Sequence, residues 1–236
     1  QLAENKGPFL LFGSTGSGKT EVYLQAVQRL LQAEPMAQAL VMVPEINLTP
    51  QLQARFEARF AHLGRERVVA LHSGLTPAQR LKSWLAAHAG TARLVLGTRM
   101  AVLASMPNLR LIVVDEEHDP SYKQQEGARY SARDLAVYRA RLEGARVMLG
   151  SATPSLESWH HSRPANEGGR YGRLTMASRI GHDQPQDLGP ASPSRPLHGL
   201  PLVRRVDMTH QPKHCVLAPP LLLAIAERVA RGEQSM

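Results

Sequence analysis

The sequence is short of several things, and each shortage narrows the reading. It has one cysteine, Cys215, which excludes an internal disulfide and any thiolate zinc cluster made from this chain alone. That lone thiol reads as a small, inert hydrophobe. No apolar run approaches the roughly 20 residues that cross a bilayer, and no basic-then-apolar signal segment opens the chain. The expectation is therefore a cytoplasmic protein with no membrane partner. Ten histidines are present, but none, His160-His161 included, has a metal-ligand spacing, so no structural metal is expected. Internal repeats are lacking. Acidic residues are the minority, 20 Asp+Glu against 28 Lys+Arg, for a formal charge of +8. The excess is spread along the chain; it favours a polyanionic partner, although a solvated basic surface accounts for it equally well. At 236 residues and 43% hydrophobic content, the chain holds one good-sized core, or a core plus a partial second unit.

What is present is led by Gly13-Ser14-Thr15-Gly16-Ser17-Gly18-Lys19-Thr20, which fits the phosphate-binding pattern G-x-x-x-x-G-K-[ST]. The short apolar run Pro8–Phe12 precedes it as a buried strand. Apolar residues at 22, 23, 26, 27, 30 and 31 follow it with a helical period. A chance Gly/Ser-rich turn would not carry both flanks. Gly16 and Gly18 free the backbone to turn amides inward at phosphate oxygens, and the helix presents its positive end to the same anion. Gly13, Thr15, Gly16, Ser17 and Gly18 are the expected cradle for the phosphates of a nucleotide. Lys19 would reach the β- and γ-phosphates, and the Thr20 hydroxyl would hold Mg²⁺.

Further apolar runs at 39–43, 67–71, 93–97, 109–114 and 146–150 read as strands, with a helix at about 48–61 and another that follows the turn 73–77 and runs to about 88. Continuously apolar strands separated by helices imply an α/β fold, a mostly parallel sheet with helices on both faces. The texture changes after residue 163. The expected division is a nucleotide-binding unit at 1–163, a Pro/Gly-rich linker at 164–200 with an exposed insertion at 181–199, and a further segment at 201–236. Within that last segment, 202–208 reads as one more strand and 219–231 as an amphipathic helix.

Asp115-Glu116-Glu117-His118 closes the fifth strand. Carboxyl ends of parallel strands line the ligand crevice, so this cluster would face the phosphate loop. The chemistry calls for one carboxylate to fix Mg²⁺ through water, assigned to Asp115, and a second to orient and deprotonate the attacking water, assigned to Glu116; His118 completes the cluster. Gly150-Ser151-Ala152-Thr153-Pro154 follows the sixth strand. Hydroxyls there, Ser151 and Thr153, can hydrogen-bond to the acidic cluster and report its state, or simply cap the next helix.

D-E-x-H followed by S-A-T resembles a superfamily 2 helicase. The segments 43–51, 71–75, 97–102 and above all 115–134 are similar to the PriA family of primosomal replication-restart helicases. Asn47 and Ser131 depart from the glycine and histidine frequent in that family. The resemblance implies a RecA-like P-loop NTPase lobe, the first of two, from an ATP-dependent 3′→5′ DNA helicase of replication restart and primosome assembly. It implies that Thr49, Gln51, Thr98 and Arg99 touch phosphates of single-stranded DNA. Tyr122, Lys123, Arg129 and Tyr130 would stack or pair beside the acidic cluster and couple DNA binding to hydrolysis, unless the aromatics simply pack the loop on the core. Implied partners are single-stranded and forked DNA, primosome proteins and single-strand-binding protein. The implied cofactors are ATP and Mg²⁺, with zinc confined to a cysteine-rich module absent from this chain. A second lobe would supply transition-state arginines, so the chain alone is expected to bind nucleotide without unwinding. A nucleotide-switched DNA- or partner-binding module and an RNA helicase lobe remain alternatives.

Overall fold

A computed structural model of the chain describes residues 7–176, 205–212 and 216–233. Seven strands form one parallel sheet: β1 Phe9–Gly13, β2 Gln38–Met42, β3 Val68–Leu71, β4 Leu94–Gly97, β5 Leu109–Val114, β6 Arg146–Ser151 and β7 Gly172–Met176. Their spatial order is β3-β4-β2-β5-β6-β1-β7. Every pairing is parallel, with β1 lying between β6 and β7. The first six strands match the apolar runs. The seventh falls where the sequence reads as linker: it is an edge strand, half-buried along most of its length, and so has no continuous apolar run to announce it. Arg173 of this strand stacks its guanidinium 3.7 Å from the Trp159 ring centroid.

Alternation along the strands sends successive side chains to opposite faces, and each face has its own core. Ala39 and Val41 point to one face, where helices α1 (Lys19–Ala33) and α2 (Pro50–Arg59) bring Tyr23, Leu24, Val27, Leu31, Phe56 and Phe60. Leu40 and Met42 point to the other, where α3 (Pro77–His88) contributes Ala87 and α4 (Ala132–Glu143) contributes Ala132, Ala136 and Ala140. The alanine stripe lets α4 lie close to β5 and β6. Helix starts follow their caps: Thr49 accepts from the Leu52 amide, and Thr76 forms a reciprocal box with Gln79. Ser131, the departure from the family pattern, caps α4 by accepting from the Asp134 amide at 3.3 Å.

The chain divides into two compact units at Gly181/His182. In the second, Asp207 caps a single turn at Met208–His210, and helix Pro219–Ala230 begins with proline in its first turn. Residues 205–208 do not form the strand expected over 202–208; the rest of that stretch, the 181–199 insertion and Cys215 lie outside the described residues. Among the described residues no helix is long and apolar enough to cross a membrane.

Candidate active site

The glycine loop joins β1 to α1 in the conformation its sequence demands. Gly16 and Gly18 have φ of 81° and 91°, a region that side chains disfavour. Gly18 caps α1 without any side-chain hydrogen bond, so no side chain occupies the amides that a helix start offers to an anion. Lys19 is buried, and its Nζ donates to the carbonyls of Gly13 at 2.9 Å and Ser14 at 3.5 Å. The chain thus folds its own cation back over the loop. Ser17 is buried too, while Thr15 and Gly16 are exposed and Thr20 is half-buried.

Across the crevice, the acidic turn leaves the end of β5. The Asp115 amide donates to the Met42 carbonyl at 2.8 Å, which fixes where the turn begins. Asp115 Oδ1 accepts two bonds, one from the Tyr23 hydroxyl at 3.0 Å and one from the Glu116 amide at 3.0 Å. Burial, and then the neighbouring Glu116 charge, raise the Asp115 pKa above the ordinary aspartate value. Burial, then the Asp115 charge, push Tyr23 well above the usual phenol value, so its hydroxyl stays a donor. Glu116 is the one non-glycine among the described residues with positive φ, 44°, a conformation that side chains adopt at a cost of about 1–3 kcal/mol. That turn brings Glu116 Oε1 to 3.9 Å from Lys19 Nζ. It also leaves the carboxylate 27% exposed, open to the crevice between loop and turn.

Glu117, the unspecified residue of D-E-x-H, points the other way. Its side chain is fully buried. It accepts from the Ser155 amide at 2.7 Å, from the Ser155 hydroxyl at 3.0 Å, from the Ser158 hydroxyl at 2.9 Å and from Arg133 Nη1 at 3.3 Å. Ser155 caps helix α5 (Leu156–His161). Arg133, in the first turn of α4, also donates to Asp134 at 2.8 Å and to the Ser155 hydroxyl at 2.7 Å. Burial would lower the Arg133 pKa, but Asp134 and Glu117 outweigh it and raise it. One buried carboxylate therefore ties the acidic turn to both α4 and α5. His118 closes a second tie: Nδ1 lies 2.7 Å from Ser151 Oγ, and Nε2 3.2 Å from Thr153 Oγ1.

The residues expected at DNA divide by exposure. Thr49 and Gln51 are exposed at the start of α2, and Lys123 and Arg129 are exposed on the loop 119–131. Arg99 is half-buried, and its Nη1 donates to the carbonyls of Ser121 at 2.8 Å and Lys123 at 3.3 Å, clasping that loop. Tyr130 is half-buried and packs on the α4 side of the core. Two expectations are corrected. Tyr122 is 1% exposed, with its hydroxyl donated to the Asp115 carbonyl at 2.7 Å, so its ring is core and offers no face for a base. Thr98 is 2% exposed, and its hydroxyl is buried without a hydrogen-bond partner, which closes it to a phosphate. Ser151 is fully buried beneath His118 and in hydrogen-bond reach of it, the contact to the acidic cluster expected of its hydroxyl.

Sequence reasoning missed Tyr23, Glu117 and Arg133. Tyr23 was submerged in the helical period, and Glu117 in a motif position that specifies no residue. The one available signal was Gly150: a Cβ there would lie 2.6 Å from Tyr23 Cζ, so a glycine ending an apolar strand marks the close approach of a bulky ring.

Comparison with known proteins agrees with this geometry. The sequence profile of DEAD/DEAH box helicases matches residues 1–161. Replication restart protein PriA of Bacillus subtilis is 38% identical over 231 residues, 97% of this chain and 26% of that protein. PriA of Haemophilus influenzae is 47% identical over 174 residues, 74% of this chain and 22% of that protein. The chain thus spans about a quarter of the length of these relatives. Among solved structures, the DUF1998 helicase MrfA bound to DNA superposes with a TM-score of 0.53 at 18% identity, over 76% of this chain and 26% of that one. The DEAD-box helicase Mss116 bound to single-stranded RNA and UDP-BeF gives 0.53 at 16% identity, over 75% and 38%. These two likenesses speak to the fold, a RecA-like helicase lobe. With the sequence profile spanning the glycine loop, the acidic turn and the S-A-T segment, the chain belongs to the DEAD/DEAH box helicase family.

Proposed function

We propose that this chain is the ATP-binding motor lobe of an ATP-dependent DNA helicase, one that moves 3′→5′ and serves replication restart and primosome assembly at stalled forks. The observation that carries the reading is the approach of Lys19 to Glu116 at 3.9 Å, across a crevice whose one wall is a glycine loop with uncapped helix amides. The donor set fits a nucleotide with Mg²⁺. Among the described residues no cluster of three His, Cys, Asp or Glu side chains could cage a metal, and Mg²⁺ is commonly shared between one or two carboxylates, water and phosphate oxygens. Thr20 and, through water, Asp115 would hold the ion, which would neutralise charge between the β- and γ-phosphates.

The chain's own groups divide the remaining work. Gly13, Thr15, Gly16, Ser17 and Gly18 turn backbone amides to the phosphates. Lys19 releases the Gly13 and Ser14 carbonyls and takes a phosphate oxygen in their place. Glu116 accepts the proton of the attacking water at Oε1. His118 reads the state of that turn and passes it to Ser151 and Thr153. Thr49, Gln51, Arg99, Lys123, Arg129 and Tyr130 are the DNA-facing set, reached by single-stranded and forked DNA; primosome proteins and single-strand-binding protein are the proposed protein partners. The similarity to PriA favours DNA over RNA as the track.

The test is ATP turnover with and without single-stranded DNA, by this chain and by a version extended through a second lobe. The reading expects DNA-stimulated turnover only in the extended protein, and greater stimulation by DNA than by RNA of matched sequence. DNA-stimulated turnover by the 236-residue chain alone would show that no second-lobe arginine is needed. Stronger stimulation by RNA would make it an RNA motor.

A further inference from the structure

The Asp115 carboxylate is held by a residue outside both the glycine loop and the acidic turn. Tyr23 lies one helical turn beyond Lys19 and Thr20 on α1, it is 1% exposed, and its hydroxyl reaches Asp115 Oδ1 at 3.0 Å. The Glu116 amide donates to the same oxygen at 3.0 Å, so both donors saturate Oδ1 and neither engages Oδ2. Room for the tyrosine comes from the end of β6. A Cβ on Gly150 would overlap the Tyr23 hydroxyl and lie 2.6 Å from Cζ. From the side opposite Tyr23, the Tyr122 hydroxyl holds the Asp115 backbone carbonyl at 2.7 Å. One aspartate is therefore gripped by its side chain from the phosphate-loop helix and by its backbone from the loop 119–131.

We propose that Tyr23 is a positioning residue for magnesium: it fixes the Asp115 carboxylate so that Oδ2 stays the oxygen presented to a hydrated Mg²⁺ beside Thr20, and Gly150 is glycine to admit it. The inference rests on the assignment of Asp115 made above. Because Lys19, Thr20 and Tyr23 lie on successive turns of α1, the phosphate cradle and the metal-site carboxylate are held in register by a single rigid element. Partners that orient a ligand from the outer shell typically change metal affinity by about 10–100-fold.

The experiment is calorimetric binding of the non-hydrolysable analogue AMP-PNP to the 236-residue chain, first in EDTA and then at increasing MgCl₂. Three proteins are compared: wild type, Tyr23→Phe, which keeps the ring and loses only the hydroxyl, and Asp115→Asn. Wild type should gain affinity as Mg²⁺ rises, and Asp115→Asn should flatten that gain. Tyr23→Phe should match wild type in EDTA while its Mg²⁺ midpoint moves up about tenfold. If Asp115→Asn flattens the response but Tyr23→Phe titrates like wild type, the tyrosine is only a core ring and the inference fails alone. An equal loss of affinity by Tyr23→Phe in EDTA and in Mg²⁺ would likewise overturn it. A response that is absent in wild type, or unchanged by Asp115→Asn, would remove the assignment of Asp115 and the inference with it.

Discussion

Two neighbouring glutamates divide this site into two regions built on opposite rules. Glu116 occupies a strained backbone conformation, is 27% exposed, and faces a lysine at 3.9 Å without a close hydrogen bond to it. Glu117 is fully buried and accepts four hydrogen bonds from three residues. The first is positioned but left unsatisfied, as a group must be if it is to take up a proton from a reactant. The second is saturated, as a buried carboxylate must be if it is not to cost several kcal/mol. An open edge is thus mounted on a rigid bracket, and the two are separated by one peptide bond.

The contrast breaks most visibly on the buried side. Glu117→Ala leaves Arg133 without its interior carboxylate and strips the acceptor from Ser155 and Ser158, and breaking such a pair costs about 3–5 kcal/mol. Denaturant unfolding should show that loss, with α5 fraying first. Next in size is Glu116→Gln, which should lower turnover of the two-lobe protein by about 10²–10⁴-fold while leaving its unfolding midpoint near wild type. If Glu116→Gln instead destabilised the lobe as much as Glu117→Ala, the division between edge and bracket would be false.

A smaller effect sharpens the comparison within the loop 119–131. Tyr122→Phe removes a buried hydroxyl from the Asp115 carbonyl and should cost about 1 kcal/mol, the usual net worth of such a bond. Its ring is enclosed, so DNA affinity should not change. Tyr130→Ala and Arg129→Ala should weaken single-stranded DNA binding and lower the DNA-stimulated rate, Arg129→Ala with a reduced salt dependence. Loss of DNA binding in Tyr122→Phe would mean that the loop opens and the tyrosine turns outward.

Legibility followed the physics of each element. The glycine loop was readable because its conformation demands glycine at 16 and 18, and six strands were readable because both faces of a parallel sheet are apolar. β7 escaped because it lies at the sheet edge, where half-exposed Arg173 and exposed Thr175 break the apolar run, and because Gly172 leaves room for the Phe9 ring where a Cβ would come within 2.8 Å of it. Tyr122 was misplaced because an aromatic in a polar loop looks the same in sequence whether its ring stacks a base or closes the core. Glu117 and Arg133, 16 residues apart, escaped for a different reason: a tertiary ion pair leaves no period or spacing. Tyr23 shows the limit most clearly, since its ring obeys the helical pattern while its hydroxyl serves another element 92 residues away.

The smallest expected effect comes from the group on which both regions converge. Asp115 has a folded pKa above its unfolded value, because burial and the Glu116 charge disfavour its ionised form. A carboxyl group raised in this way stabilises the fold when protonated and loses that contribution as pH rises through the folded pKa, so at neutral pH the ionised side chain weighs against folding. Asp115→Asn keeps an Oδ1 acceptor for Tyr23 and for the Glu116 amide while removing the charge. The variant should therefore melt slightly higher than wild type at pH 7, with the gap closing as pH falls toward the ordinary aspartate value of 3.8. Melting curves across that range check both the sign and the window. A lower melting temperature for Asp115→Asn at neutral pH would mean that the charge is fully compensated within the lobe, and that the edge has no stability held in reserve for a cation. The rise expected instead marks Asp115 as a residue kept at a cost to the fold, the trade-off seen where function and stability compete.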